Sequence, residues 1–177
     1  MLEPNATYLS SKLSKIKILV YETRYQNQII ELILNIQQQE FGLPITLDAQ
    51  TDLLNISNFY QQGNGNFWTA IDIDRKKVIG TIAAIDVGNS QLALRKMFVD
   101  ASYRGREIGI GKQLLSSLLI WARERAVKNI YLATIENFKA AHKFYEKSGF
   151  YEINQSDLPA TFPLMQGDTR FYKLSLE

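Results

Sequence analysis

The chain has 177 residues, 46% of them hydrophobic, with 20 Lys and Arg against 18 Asp and Glu; it can bury one sizeable core, and its near-neutral balance implies neither a nucleic-acid backbone nor an anionic membrane surface as partner. Cysteine is absent, which excludes disulfides, thiolate nucleophiles and Cys-based metal sites, and the single His142 leaves little other metal chemistry, so no metal is expected. No apolar run is long enough to cross a bilayer and Met1 to Asn5 carries no export-signal pattern, so a cytoplasmic protein is expected.

Residues 1–15 are polar and Ser-rich without periodicity and read as an N-terminal arm; residues 16–177 read as a single domain. Ile16 to Tyr21 is the first strand. Apolar residues at Ile29, Ile30, Leu32, Ile33, Leu34 and Ile36 recur at helical spacing and predict a helix from Gln28 to about Gln39, ended by Gly42 and Pro44. Glu40 to Gln50 is of mixed character and reads as a surface loop, and Asp52 to Tyr60 as a shorter helix. Phe67 to Ile71 and Val78 to Ile85 flank the polar turn Asp74 to Lys77 and predict a hairpin, followed by a second turn at Gly88-Asn89 and a strand from Leu92 to Val99.

Beyond a Gly-rich turn, Leu114, Leu115, Leu118, Leu119 and Ala122 form one stripe of a helix over Lys112 to Val127. Asn129 to Ile135 is a strand and Phe138 to Ser148 a helix, with Gly149 placed for a left-handed cap. Phe150 to Ile153 and Thr169 to Leu176 are the last two strands, joined by a loop over Asp157 to Met165 with Pro159 and Pro163. The order predicts a mixed α/β sheet with helices on both faces.

The turn carries the first chemical signal. A strand that runs through Gly109-Ile110-Gly111 straight into an amphipathic helix exposes backbone N–H groups at a positive helix end, where an anion is favoured. Glycine leaves room for a phosphate oxygen to reach the amides, and Arg104, Arg106 and Lys112 add charge around the same turn. An ordinary tight strand-to-helix turn has the same composition. A Rossmann fingerprint would require a third glycine where Leu114 stands, and a P-loop would require a hydroxyl after Lys112 where Gln113 stands.

The run from Met97 to Leu115, with Arg106, Gly109 and Gly111 at its turn, resembles the signature of GNAT N-acetyltransferases, Arg/Gln-x-x-Gly-x-Gly/Ala. A second element, Asn137, Ala140, Tyr145 and Gly149-Phe150, is similar to the family's Asn-x-x-Ala…Tyr-x-x-x-Gly-Phe. The resemblance implies a fold of the α/β, α+β mixed-sheet kind, mostly antiparallel and splayed at the cofactor strand, with acetyl-CoA as co-substrate. It places the pyrophosphate on the amides of Ile108, Gly109, Ile110, Gly111 and Lys112, with Arg104 and Arg106 as supporting charges. It pairs the pantetheine arm with the main chain of Met97, Phe98 and Val99, puts Asn137 and Ala140 beside the splay, and gives Tyr145 the task of protonating the departing thiolate. The turn departs from the common spacing: Arg104-Gly105 precedes Gly109 by two residues more than usual.

The resemblance implies direct transfer of an acetyl group to a primary amine in a ternary complex, and that amine must first lose a proton. Many relatives carry a Glu for this on the strand before the turn, where this chain has Ala93; Glu136 and Asp86 are the remaining candidates. A non-catalytic acyl-CoA-binding module of the same fold and a plain phosphate-binding domain are the competing expectations. The acceptor, a small-molecule or peptide amine, has no readable motif; Trp68 and Tyr60 suit either an acceptor pocket or the core, His142 reads as exposed or at the cofactor edge, and a monomer and a homodimer are both open.

Overall fold

The computed structural model describes residues 15–105 and 107–176; the expected arm up to residue 14, and Arg106, lie outside them. Strand β1 (Ile16–Val20) is followed by helix α1 (Gln26–Leu34), and a 3-10 turn at Thr51–Leu54 leads to helix α2 (Ile56–Tyr60). Strands β2 (Asn66–Asp72), β3 (Lys77–Gly88) and β4 (Gln91–Val99) form a meander. Helix α3 (Ile110–Glu124), strand β5 (Asn129–Thr134), helix α4 (Lys139–Lys147), strand β6 (Tyr151–Ile153) and strand β7 (Arg170–Ser175) complete the chain. The strands make one sheet in the order β1-β2-β3-β4-β5-β7-β6, antiparallel except where β4 meets β5.

Apolar side chains on both faces of the central strands explain the layering. Every residue of β2 is buried because α1 and α2 cover one face and α3 the other. Ile29, Ile33, Ile56 and Tyr60 pack with Phe67 and Ile71 on the first side, and Leu114, Leu118 and Ala122 pack with Ile79 and Ile82 on the second. Each such large side chain removed from water contributes about 1.5–3 kcal/mol. Gly80 lets α3 approach β3: a Cβ there would stand 3.0 Å from Leu114 and 3.2 Å from the Phe98 carbonyl.

Several boundaries differ from the periodicity. Helix α1 starts at Gln26 and runs on as a π-helical turn over Asn35–Glu40. The second predicted helix is split at Asn55, whose φ of −145° ends the 3-10 turn before α2 begins. Helix α3 begins at Ile110, two residues before the predicted start, and stops at Glu124 because Ala126 takes a left-handed φ of +53°, which turns the chain so that Val127 enters the core.

Two irregularities in β4 position the site. Between the pairs Ala83↔Arg95 and Thr81↔Phe98, β4 holds one residue more than β3, a bulge at which Lys96 adopts φ +50°. The Thr81 hydroxyl donates to the Lys96 carbonyl at 2.6 Å and pins that conformation. On its other edge β4 pairs with β5 only from Gln91 to Ala93, against Asn129 to Tyr131. Beyond Ala93 the two strands part.

Candidate functional site

A cavity of about 1250 Å³ opens where β4 and β5 separate. Its floor is β4 from Leu94 to Val99, one wall is α1 and the following loop (Gln37, Phe41, Gln50), and the opposite wall is formed by α4 and the segment before β7. Phe138 stands edge-on between Phe41, at 4.7 Å, and Phe98, at 6.4 Å, joining the two walls across the opening. Since among the described residues no strand pairs with β4 beyond Ala93 on this side, its backbone groups there, apart from the Val99 carbonyl that Arg104 engages, are available to an extended ligand, as at any sheet edge.

The Gly-rich turn forms one end of the cavity. Gly109 sits at φ +65° as the cap of α3, and its N–H donates to the Gly105 carbonyl at 3.0 Å, so the two extra residues of the turn are closed into a tight loop. The first bond of the helix runs from Gln113 N–H to the Gly109 carbonyl at 3.0 Å. The N–H groups of Ile110, Gly111 and Lys112 therefore precede the helical ladder and can receive an anion.

Met97, Phe98, Val99, Arg104, Gly109, Ile110, Gly111, Lys112, Asn137, Ala140 and Tyr145 all line this one cavity. Ile108 does not; it packs against the core, and only its backbone can serve the turn. Arg104 lines the mouth with its charge engaged: both terminal nitrogens pair with the Glu40 carboxylate, one of them at 2.8 Å, and Nε donates to the Val99 carbonyl at 2.7 Å. Tyr145 is buried beside Phe144, Phe150 and Tyr172, and burial pushes its hydroxyl well above the usual phenol range.

The two carboxylates expected as bases lie elsewhere. Asp86 accepts the N–H groups of Asn64 and Gly88, both at 2.8 Å, and braces two turns away from the cavity. Glu136 is exposed and points outside it. Ala93 is buried against Val87, Tyr131 and Phe162. His142, expected at the surface, is buried because both ring nitrogens are used: Nε2 donates to the Ile135 carbonyl at 2.9 Å and Nδ1 accepts from Arg170 at 3.1 Å. Trp68 and Tyr60 belong to the core.

This geometry agrees with the comparisons. The acetyltransferase (GNAT) family model matches residues 30–150. The chain belongs to the GNAT family. A GNAT-family acetyltransferase structure from Staphylococcus aureus Mu50 is similar at 42% identity and TM-score 0.86, over 92% of this chain and 99% of that one. An acetyltransferase from Streptococcus agalactiae 2603 shares 32% identity at TM-score 0.86, with the same coverage. Among curated proteins, the N-acetylaspartate synthetase of Xenopus tropicalis is 37% identical over 59% of this chain, and N-acetyltransferase 8F1 of Rattus norvegicus 31% identical over 60%. These matches span 38% and 48% of the relatives' own lengths.

Within this GNAT chain, the part of the cavity beside the β4 bulge holds residues that no motif announced. Lys96, at the bulge, is buried with its ammonium 2.6 Å from Gln50 Oε1 and 3.2 Å from Asp52 Oδ2. Tyr60 donates to the same Asp52 oxygen, and Gln37 and Gln50 exchange side-chain hydrogen bonds. Burial lowers the Lys96 ammonium from its ordinary value while Asp52 opposes the shift. Asp168 is the one carboxylate among the described lining residues, and burial raises it above the usual range against the pull of the Met165 amide and Arg95. A charged pair inside a strand, Arg95-Lys96, was the only sign in the sequence that β4 served more than the core.

Proposed function

We propose that this chain is an acetyl-CoA-dependent N-acetyltransferase that passes the acetyl group directly to a primary amine in a ternary complex. The observation that carries the reading is the convergence on one cavity of an unpaired β4 edge, the open amides at the start of α3 and the Tyr145 side chain. Ile110, Gly111 and Lys112 would hold the pyrophosphate through their N–H groups, with Lys139 and Lys147 on α4 adding positive charge to the same cavity. The edge of β4 from Met97 to Val99 would take the pantetheine arm as an added strand, beside Asn137 and Ala140. Bound there, acetyl-CoA supplies an activated thioester.

Tyr145 would protonate the leaving sulfur. Its hydroxyl has no hydrogen-bond partner among the described residues and, like any phenol, is protonated at neutral pH, so a proton would be present where the thiolate needs one. Isothermal titration with acetyl-CoA is expected to show one site per chain. Gly109→Val places a β-branched side chain at φ +65°, beside the open amides, and should weaken that binding by about 100-fold or more while circular dichroism stays unchanged. A wild-type protein that binds neither acetyl-CoA nor CoA, or that releases no CoA thiol with any primary amine, would overturn the reading.

A further inference from the structure

Arg95 lines the cavity half-buried, and among the described residues it has no ion-pair partner; its guanidinium reaches only the thioether sulfur of Met165. The neighbouring cations differ. Lys96 is paired with Asp52 and Arg104 with Glu40, so neither has charge to spare for a ligand. Asp168 attracts this guanidinium from the same cavity without a direct salt bridge, so the two opposite charges are left with hydrogen-bonding capacity for a ligand.

Asp168 lies at the same end. Its Oδ2 accepts the Met165 N–H at 2.8 Å and its other oxygen has no partner among the described residues. Met165 thus touches both groups, through its amide and through its sulfur, and ties a positive and a negative side chain to the same stretch of cavity wall. A cation and an anion on one wall suit a molecule that carries an ammonium and a carboxylate close together.

We propose that the acceptor is a primary amine bearing a carboxylate, of the amino-acid type, with its carboxylate on Arg95 and its ammonium on Asp168. The proposal rests on the transferase reading above. A planar guanidinium fork suits a carboxylate, and an opposite pair of side chains matches a zwitterion charge for charge, whereas a phosphate dianion would be repelled by the Asp168 carboxylate. Asp168 takes one proton from the ammonium, and the neutral nitrogen forms the C–N bond to the acetyl carbon. As the C–S bond breaks, the thiolate leaves with its electron pair and is protonated by Tyr145. The second nitrogen proton returns to the Tyr145 oxygen and Asp168 releases its own to solvent, so amide, CoA thiol and one free proton are the products. Burial, which raises the Asp168 carboxyl, strengthens it as a proton acceptor.

Release of CoA thiol, followed across α-amino acids, their α-carboxamides and alkylamines of equal length, tests this. The wild-type kcat/KM should favour the carboxylates over their carboxamides by about 10- to 100-fold. Arg95→Gln should bring that ratio to within about threefold through a raised KM, Arg95→Lys should restore part of it, and Asp168→Asn should act on kcat, by about 100-fold or more. Carboxamides or alkylamines used as well as the carboxylates, or a preference that survives Arg95→Gln, would overturn the proposal while leaving the transferase reading intact. If no amine in the panel is turned over the proposal also falls, and acetyl-CoA titration of the same sample then decides whether the donor reading falls with it.

Discussion

Burial alone raises the Tyr145 hydroxyl, and the acid role proposed for it needs only the protonated form that a phenol keeps at neutral pH. Its folded value lies above the ordinary 10.0, so the hydroxyl stays protonated in both folded and unfolded chains below about pH 10, and its contribution to stability is lost only as pH rises beyond that. No descending limb in rate from Tyr145 is expected below pH 10, and Tyr145→Phe should lower kcat by about 100-fold with the acetyl-CoA Kd unchanged, as single-turnover kinetics and titration would show. Asp168 has the same sign for the same reason, burial. A raised carboxyl stabilises the fold below the unfolded value of 3.8 and loses that contribution as pH rises, so at pH 7 the folded chain carries a charge that burial disfavours. Asp168→Asn, which can still accept the Met165 N–H, should therefore melt above wild type at pH 7 while losing activity, with the difference gone near pH 3. Lys96 and Asp52 form a buried pair, and Lys96→Met alone should destabilise by about 3–5 kcal/mol in denaturant titrations, most of it recovered when Asp52→Leu is added. Tyr145 was legible because a motif spaces it from Asn137 and Gly149. Asp168 follows a glycine in a loop with no periodicity, and only the return of the chain to β7 brings it beside Arg95.

At the scale of elements, the strands and the α3 and α4 stripes were readable because burial on both sides of the sheet demands continuous apolar runs there. The π-helical end of α1 and the bulge at Lys96 were not, since each is held by a partner distant in sequence: Gln50 for Gln37, Thr81 for Lys96. The close approach of α3 to β3 links core packing to the turn. Gly80→Ala would press on Leu114 and on Ile110, 3.3 Å from the new Cβ, at the first turn of α3. A loss of about 1–3 kcal/mol is expected, together with weaker acetyl-CoA binding, whereas an equal loss introduced on α1 should leave binding alone. Thermal unfolding and titration on the same samples separate the two.

For the whole molecule, the order of the strands and their antiparallel sense follow from short connections, with one crossover through α3 making the β4 and β5 pair parallel. The resemblance implied that this pair would part; what no local pattern could announce is that Glu40 and Arg104, far apart in sequence, would clasp the two sides of the opening. Arg104→Gln removes that clasp along with the hydrogen bond to Val99, and its effect should appear as faster proteolysis of the loop after α1.

The short β4–β5 ladder makes the free protein an unfinished sheet. An extended donor lying in the gap would act as a structural member as well as a reactant, tying together two sheet segments that share few backbone bonds. Amide exchange along the open edge of β4 should then be fast in the free chain and slow by an order of magnitude or more once the donor is bound, with the neighbouring β3 ladder unaffected. By mass action a ligand at 100 times its Kd adds about 2.7 kcal/mol to the folded state. The abundance of the donor would in this way set how long the protein survives, as well as how fast it works.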